Sequence, residues 1–148
     1  MSKVEVSITI AATPAAIWAV VMDPDRLGDW VTIHRGLGKA DPAPLKLGSK
    51  LEQTLEIRGA PFKVKWTVAE ATKPSIAVWE GSGPARSRAH TAYKLTPEGK
   101  GKTRFDYEND FKTPLGPLGK IAGRLLVGGT SEREANASLA KLKALLEA

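Results

Sequence analysis

Hydrophobic and polar residues alternate over the first ten positions of the chain. The apolar positions are even-numbered, from Val4 to Ile10, and this period of two is typical of a strand with one buried face. Thr13-Pro14 follows and predicts the start of a helix, because threonine caps helices and proline fits their first position. Asp23-Pro24 predicts the end of that helix. Its apolar stripe consists of Ile17, Trp18, Val21 and Met22.

The next segment predicts a second short helix and then a long connection. Leu27 and Trp30 lie three residues apart within Asp25–Trp30, so they share one side of a helical turn. Gly36–Gly48 is rich in glycine, proline and lysine, and we expect a loop there. The pattern leaves open whether this loop is a lid or only a connection.

Between positions 51 and 80 the pattern predicts three strands. Leu51, Gln53, Leu55 and Ile57 share one parity, with charged and polar residues on the other. After a turn at Arg58-Gly59-Ala60-Pro61 the apolar positions are even-numbered. They are Phe62, Val64, Trp66 and Val68. A short strand at Ile76–Glu80 follows, in which both parities carry apolar residues, so the direction of Trp79 stays open.

The segment Ser87–Phe111 predicts a β-hairpin whose turn lies in Thr96–Lys102. A turn centred near Gly99 pairs Tyr93 with Phe105, and it also pairs Thr91 with Tyr107, on the inner face. The same register pairs Arg88 with Asp110 and His90 with Glu108 on the outer face, where opposite charges suit solvent.

The chain ends in a segment that predicts one long helix, Pro117–Ala148, after a connection at Thr113–Gly119. Its apolar positions recur mostly every three or four residues. They are Ile121, Leu125, Leu139, Leu142, Leu145 and Leu146. Gly128-Gly129 interrupts this stripe, and Ser131 with Glu134 resembles a capping box at which the helix restarts. The sequence leaves open whether the helix is continuous there.

The length fits one domain spanning residues 1–148, and the order of predicted strands and helices indicates an α+β fold. The chain has 42% hydrophobic and 26% charged residues, and no apolar run approaches the roughly 20 residues that cross a bilayer. We therefore expect a cytoplasmic protein without stable membrane insertion. The absence of cysteine excludes disulfides and thiolate metal sites.

The positive charges behind the net charge of +6 are not clustered in the sequence. Residues 1–99 hold 13 Lys and Arg against 10 Asp and Glu, and residues 100–148 hold 9 against 6. Nucleic-acid-binding proteins usually carry a basic cluster or stripe. We expect a solvated basic surface and no nucleic-acid partner, although a weak attraction to acidic ligands or anionic membranes stays open.

The sequence offers little catalytic chemistry. Its two histidines are His34, expected on a loop beside Trp30, and His90, expected on the outer face. They do not form a metal site with ligand spacing, and no phosphate loop, dinucleotide fingerprint or nucleophile elbow is present. We expect no cofactor and no metal.

Five motifs together resemble a known superfamily. They are Ala12-Thr13-Pro14-Ala15-Ala16-Ile17-Trp18, Asp29-Trp30, Val78-Trp79-Glu80-Gly81, the hairpin motifs Tyr93–Pro97 and Gly101–Phe105, and the tail Glu132-Arg133 with Leu139–Lys143. The whole chain resembles the START-like (SRPBCC) superfamily of polyketide cyclases, dehydrases and lipid transport proteins. That resemblance implies a helix-grip fold, in which a curved antiparallel sheet of six or seven strands wraps a long C-terminal helix.

The resemblance also implies a hydrophobic cavity between the inner face of the sheet and the last helix. Small residues on the last helix, among them Gly129 and Ala135, would leave room for a ligand in this cavity. The alternation of the strands nominates most of the lining, Ile121 and Gly128 could come from the last helix, and the ring of Trp30 could stack on a flat ligand. The candidate ligand-binding residues are Trp30, Phe62, Val64, Trp66, Tyr93, Phe105, Tyr107, Asn109, Ile121 and Gly128.

Three functions stay open at this stage. The leading prediction is binding or carriage of a small hydrophobic ligand, such as a lipid, polyketide or aromatic metabolite. The second is a polyketide cyclase or dehydrase that uses the same cavity, with Tyr107 as a general acid. The third is a protein-interaction module without a ligand, whose protein partner the sequence does not identify.

Overall fold

The computed structural model describes residues 2–57, 59–112 and 130–148, which form an α+β fold with seven strands and three α-helices. The helices are α1 (Pro14–Val21), α2 (Leu27–Trp30) and α3 (Thr130–Glu147). The strands are β1 (Ser2–Ile10), β2 (His34–Ala40), β3 (Lys50–Ile57), β4 (Ala60–Thr72), β5 (Ile76–Ser82), β6 (Arg88–Pro97) and β7 (Thr103–Lys112).

All seven strands belong to one antiparallel sheet in the order β1-β7-β6-β5-β4-β3-β2. Successive side chains point to opposite faces. On β6 and β7 the odd-numbered residues point to the concave face, where Tyr93, Leu95 and Phe105 are buried. The predicted division into inner and outer faces is therefore confirmed for this hairpin.

The segment between β1 and β2 closes one end of the concave face. Thr13 caps α1, because its side-chain oxygen accepts a hydrogen bond from the Ala16 backbone at 3.2 Å. The whole predicted stripe of α1 is buried: Ile17, Trp18, Val21 and Met22. Leu27 and Trp30 of α2 are buried as well. Both helices thus cover the core as the sequence predicts.

Helix α3 packs along β1 and over the concave face. Leu139 and Leu142 are fully buried, and the Lys143 ammonium donates a hydrogen bond to the Thr9 carbonyl at 3.0 Å. The Glu147 carboxylate accepts from the Ala11 backbone N–H at 2.7 Å. The C-terminal end of the helix is therefore fixed to the first strand, and the sheet curves around it.

The predicted register of the β6–β7 hairpin is wrong by two residues on one strand. Tyr93 lies opposite Tyr107, and Thr91 lies opposite Asn109. Arg88 faces Lys112 and His90 faces Asp110. The reason is the turn, which centres on Lys100: Gly99 and Gly101 on either side of it both have positive φ, 90° and 74°. A shift of two keeps every side chain on its predicted face.

The predicted loop Gly36–Gly48 begins too early. Residues up to Ala40 form β2, an edge strand with two irregularities in its pairing to β3, and His34 is its first residue rather than part of a loop. Irregular edge strands lack a clean alternation, which explains the error. The remaining loop is held down at Leu45, which is buried and whose N–H donates to the Met22 carbonyl at 2.8 Å.

Some predictions concern residues outside the described ranges. These are the connection Thr113–Gly119, the turn residue Arg58, the stripe positions Ile121 and Leu125, and the break at Gly128-Gly129.

Candidate ligand-binding site

A continuous group of aromatic rings covers the centre of the concave face. Trp79 lies edge-on to Trp66, with ring centroids 6.0 Å apart, and to Tyr93 at 5.8 Å. Tyr93 also stacks on Tyr107 at 5.8 Å with an angle of 25° between the planes. Six of the nine aromatic residues belong to this group: Trp30, Trp66, Trp79, Tyr93, Phe105 and Tyr107.

Two small hollows lie between these rings, α2 and α3. The deep hollow lies against Trp66, Trp79 and Thr91, and the helix-side hollow lies against Glu134, Ala135 and Ser138. Each has a volume of about 30 Å³, which is room for water but not for a metabolite. The two share a wall of five side chains: Val31, Ile33, Tyr107, Asn109 and Phe111.

One chain of hydrogen bonds runs along the wall side of the deep hollow. Thr91 Oγ1 donates to Asn109 Oδ1 at 3.3 Å, and Asn109 Nδ2 donates to the Tyr107 hydroxyl at 3.0 Å. Burial raises the pKa of Tyr107 to about 12, and the Asn109 hydrogen bond opposes this only in part. The phenol therefore keeps its proton at neutral pH. Because its oxygen already accepts from Asn109, its O–H remains available as a donor.

A second chain of hydrogen bonds crosses from β4 to β2. Trp66 Nε1 donates to Gln53 Oε1 at 2.9 Å, and since an indole can only donate, this bond fixes the orientation of the Gln53 amide. Gln53 Nε2 then donates to His34 Nδ1 at 3.0 Å. His34 is therefore neutral with its proton on Nε2. Burial, followed by the charge of Arg35, lowers the pKa of His34.

This histidine makes the stability of the protein depend on pH. Protonation of His34 would place a proton on the nitrogen that accepts from Gln53, so the unfolded chain binds this proton more readily than the folded one. We expect stability to fall as pH decreases through the ordinary histidine pKa of about 6.5. Urea unfolding at a series of pH values measures this.

The matched control is His34→Gln, which keeps an acceptor for Gln53 but does not titrate. Its stability should decline less than that of the unmodified protein between about pH 7 and pH 5. Equal slopes for the two proteins would contradict the assignment of the neutral state to His34. His90 is present in both proteins and cancels in the comparison.

Two buried indole N–H groups have no hydrogen-bond partner among residues 2–57, 59–112 and 130–148. They belong to Trp30 and Trp79, which are 1% and 2% exposed. Trp79 lines the deep hollow, and Tyr107 and Thr91, which carry hydroxyl groups, line it as well. Buried donors are rarely left unpaired in folded proteins. The deep hollow therefore combines apolar walls with donors available to an acceptor atom.

At the helix-side hollow, polar groups tie the α2–β2 connection to α3. The Thr32 backbone N–H donates to Ser138 Oγ at 3.0 Å, and the Thr32 hydroxyl bonds to the Glu134 carboxylate. Glu134 is the one acidic or basic residue among the described residues that line either hollow. The lining of the deep hollow is accordingly polar only through uncharged groups.

The structure brings four of the ten predicted site residues to the hollows: Trp66, Tyr93, Tyr107 and Asn109. Trp30 and Phe105 lie in the core behind the tyrosines. Phe62 is half-buried and packs against the core, and Val64 is buried beside Gly81 of the neighbouring strand β5. Ile121 and Gly128 are outside the described residues.

Sequence reasoning missed several lining residues. The alternation of β5 does not predict the direction of Trp79, although Gly81 has the same parity and a glycine facing inward is a sign of crowding. Gln53 shares the parity of Leu51 and Leu55, and a polar residue in that series was a usable signal. Val31 and Ile33 follow α2 in a segment without periodicity, so no pattern could have found them.

Among the described residues no group of histidine and carboxylate side chains is arranged to hold a metal ion. Nor is any helix in the described part long and apolar enough to cross a membrane. The curved antiparallel sheet with the C-terminal helix over its concave face defines the class of fold, a helix-grip fold.

The sequence matches the family described as "Polyketide cyclase / dehydrase and lipid transport" over residues 1–147, and the chain belongs to that family. Solved structures agree on the fold. A START superfamily protein from Mycobacterium smegmatis superposes with a TM-score of 0.72 at 17% identity, covering 99% of this chain and 98% of that one. The ZhuI aromatase/cyclase from Streptomyces sp. R1128 gives 0.76 at 14% identity, covering 98% and 93%.

Among curated proteins the chain is similar to Toxin Rv0910 of Mycobacterium tuberculosis strain H37Rv. The two are 28% identical over 127 residues, which is 85% of this chain and 88% of the relative.

Proposed function

We propose that this protein binds a small, uncharged apolar or aromatic molecule between the concave face of the sheet and α3. The observation that carries the proposal is an aromatic hollow lined by Trp79, whose N–H has no partner among the described residues, and by Tyr107, whose O–H is available as a donor. Apolar contact supplies most of the affinity, at about 25 cal/mol per Å² of buried surface. The donors orient the ligand by pairing with an oxygen atom.

The same lining selects against charged ligands. A carboxylate placed in the deep hollow would lack a cationic partner among the described lining residues, and an unpaired buried charge is expensive. The Glu134 carboxylate at the helix-side hollow would repel it further. A carbonyl or ether oxygen carries no charge, so it needs only hydrogen-bond donors such as the Trp79 N–H and the Tyr107 O–H. The proposal therefore favours neutral carbonyl-bearing ligands over fatty acids.

Binding requires the shared wall to move. The two hollows are each too small for a metabolite, but they have five lining residues in common. Ile33 and Val31 are only half-buried, and Phe111 is 8% exposed. Rotation of these side chains joins the hollows into one space.

Tyr107 suits ligand binding better than acid catalysis. A general acid is most effective when its pKa lies near the working pH, whereas burial raises the pKa of Tyr107 to about 12. Such a phenol donates a hydrogen bond but gives up its proton reluctantly. For this reason we place carriage or sensing of a ligand ahead of a cyclase or dehydrase reaction.

The test is a fluorescence titration with Nile red, an uncharged aromatic ketone, and with palmitate as the charged comparison. We expect Nile red to bind and palmitate to bind far more weakly. Tyr107→Phe and Trp79→Phe should each weaken Nile red binding by about 3- to 10-fold, the usual worth of one neutral hydrogen bond. Native mass spectrometry of the purified protein, with extraction of any bound compound, then identifies the natural ligand.

Phe62→Leu is the matched control, because Phe62 lies on the same face but lines neither hollow. It should leave Nile red affinity within about twofold. A hydrocarbon probe such as pyrene, which lacks oxygen, should bind the two donor variants as well as the unmodified protein. Absence of binding to both Nile red and pyrene contradicts the proposal.

The name of the mycobacterial relative supports a second candidate, inhibition of growth. Induced expression in a bacterial host, compared with expression of Trp79→Phe, tests it. Growth arrest by the unmodified protein but not by Trp79→Phe would connect growth inhibition to the site. Normal growth of both cultures would exclude growth inhibition.

A further inference from the structure

Cations that are scattered along the sequence come together on the convex face of the sheet. The pairing registers place Lys65, Ser82, Arg88 and Lys112 opposite one another on four consecutive strands, β4 to β7. Neighbouring strands lie about 4.8 Å apart, so the row from Lys65 to Lys112 spans roughly 14 Å. Lys63 and Arg86 lie beside it. We call the exposed cations Lys63, Lys65, Arg86, Arg88 and Lys112 the basic rim.

The basic rim has no direct ion pair within the described ranges, although Glu80, Glu108 and Asp110 line the same surface groove as Arg88 and Lys112. None of its five side chains takes part in an ion pair or hydrogen bond there, although Glu52 lies opposite Lys65. Arg88 and Lys112 face each other directly across β6 and β7. Like charges in that position destabilise a sheet. Other cations of the convex face, such as Lys3, do have acidic partners.

The backbone at Arg86 is strained, and this also indicates a functional role for the basic rim. Arg86 has a φ of 65°, a left-handed conformation that glycine adopts without cost and arginine does not. The turn is closed by Gly83 N–H donating to the Ser87 carbonyl at 2.9 Å and Ser87 Oγ donating to the Pro84 carbonyl at 2.7 Å. A charged side chain held in a strained turn at the surface suggests a role in recognition.

The rim lies at the same end of the sheet as the hollows. Its row is one ladder step from the row that contains Trp66, Gly81, Ala89 and Phe111. Trp66 and Phe111 line the deep hollow from the concave face. An anionic surface in contact with the rim therefore lies at the same end of the sheet as the hollows, on its other face.

We propose that the basic rim docks the protein on an anionic lipid bilayer, from which the site takes up its apolar ligand. This rests on the proposed function, since an apolar ligand is concentrated in a bilayer. A flat bilayer can contact the whole row at once, and a Lys or Arg at such a surface strengthens binding about fivefold. Sites for single-stranded nucleic acids instead combine cations with exposed aromatic rings, whereas Ser82 and Glu52 are the neighbours in this row.

The experiment is sedimentation of the full chain with vesicles. One set contains phosphatidylcholine only, and in the other about one lipid in three is phosphatidylserine. We expect binding to the anionic vesicles only, and about 30-fold weaker binding by Arg88→Ser/Lys112→Ser. Lys94→Ser/Lys100→Ser removes the same charge elsewhere and should change binding by less than about threefold.

Arg86→Gly separates recognition from stability. It removes one rim cation and relieves the strained turn, so vesicle binding should weaken about fivefold while thermal stability does not decrease. Failure of the unmodified protein to bind anionic vesicles would overturn the proposal, and so would equal losses in the two double variants. Binding of a DNA duplex through the rim without binding of vesicles would replace the bilayer by nucleic acid.

Nile red titration of the same variants keeps this inference distinct from the proposed function. The rim variants should bind Nile red like the unmodified protein, because no rim residue lines a hollow. Normal Nile red binding without vesicle binding would refute the docking surface alone. Absence of vesicle binding together with absence of Nile red and pyrene binding would refute the proposed function as well.

Discussion

Trp30→Ala should lower the free energy of unfolding by about 3–5 kcal/mol, the usual cost of truncating a buried tryptophan. Trp30 is 1% exposed and ends α2 against the sheet. Its ring lies edge-on to Tyr93 at 6.0 Å, Phe105 at 6.4 Å and Tyr107 at 6.5 Å. Removing it opens a cavity among three rings that cannot close without disturbing the sheet. Urea unfolding followed by circular dichroism measures the loss.

Two comparisons make this prediction specific. Leu47→Ala truncates a side chain that is 67% exposed and should change stability by less than about 0.5 kcal/mol. Trp30→Phe should cost clearly less than Trp30→Ala, because an aromatic edge remains and the Trp30 N–H has no partner to lose within the described chain. A loss below about 1 kcal/mol in Trp30→Ala would mean that α2 is not part of the core.

The same contact explains how stability and binding are connected. Trp30 contacts the rings of Tyr93 and Tyr107, and these two rings line the deep hollow while Trp30 does not. A residue nominated from sequence as a ligand contact is thus placed by the structure behind the lining. Its contribution to ligand binding remains a prediction, and the effect on the tyrosines is the more direct one.

The faces of the strands could be predicted from sequence because they depend only on parity. Tyr93, Phe105 and Tyr107 point inward whichever residue centres the turn. The register could not be predicted, since both Gly99 and Gly101 are suited to positive φ and the pattern does not choose between them. The consequence for the site is real, because the true register brings Thr91 to Asn109 and creates their hydrogen bond.

Features that depend on several strands could not be predicted from the sequence. The cations of the basic rim come from β4, the turn before β6, β6 and β7, so they appear in the sequence as isolated lysines and arginines. Only the strand order and the registers bring Lys65, Arg88 and Lys112 into one row. The evenly spread charge of the sequence therefore concealed a local concentration. The hydrogen bond from Gln53 to His34 was hidden for the same reason.

Gly81→Ala should lower the free energy of unfolding by about 2–3 kcal/mol, because a single methyl group overpacks the core at this position. A Cβ at Gly81 would lie 2.7 Å from Trp66 Cε3 and 2.7 Å from Val64 Cγ1. Gly81 lies opposite Trp66 in the sheet, so the indole ring covers the glycine directly. Space rather than backbone conformation demands glycine here. Thermal or urea unfolding measures the effect.

Gly36→Ala is the matched control, since nothing lies within 4 Å of a Cβ built at Gly36. That variant should be neutral or more stable by up to about 1 kcal/mol. In the double variant Gly81→Ala/Val64→Ala, the removed methyl groups should offset part of the overpacking, and the two changes should therefore cost less together than the sum of the single changes. Equal stability of Gly81→Ala and Gly36→Ala would contradict the close packing.

The direction in which Trp66 yields determines what Gly81→Ala does to the site. Trp66 is held by its bond to Gln53 at 2.9 Å and by its edge contact with Trp79. A ring displaced by the new methyl group moves toward the deep hollow or breaks the bond to Gln53. Either change reaches the lining, so Nile red affinity should fall together with stability. Loss of stability with unchanged affinity would show that Val64 moves instead and that Trp66 stays in place.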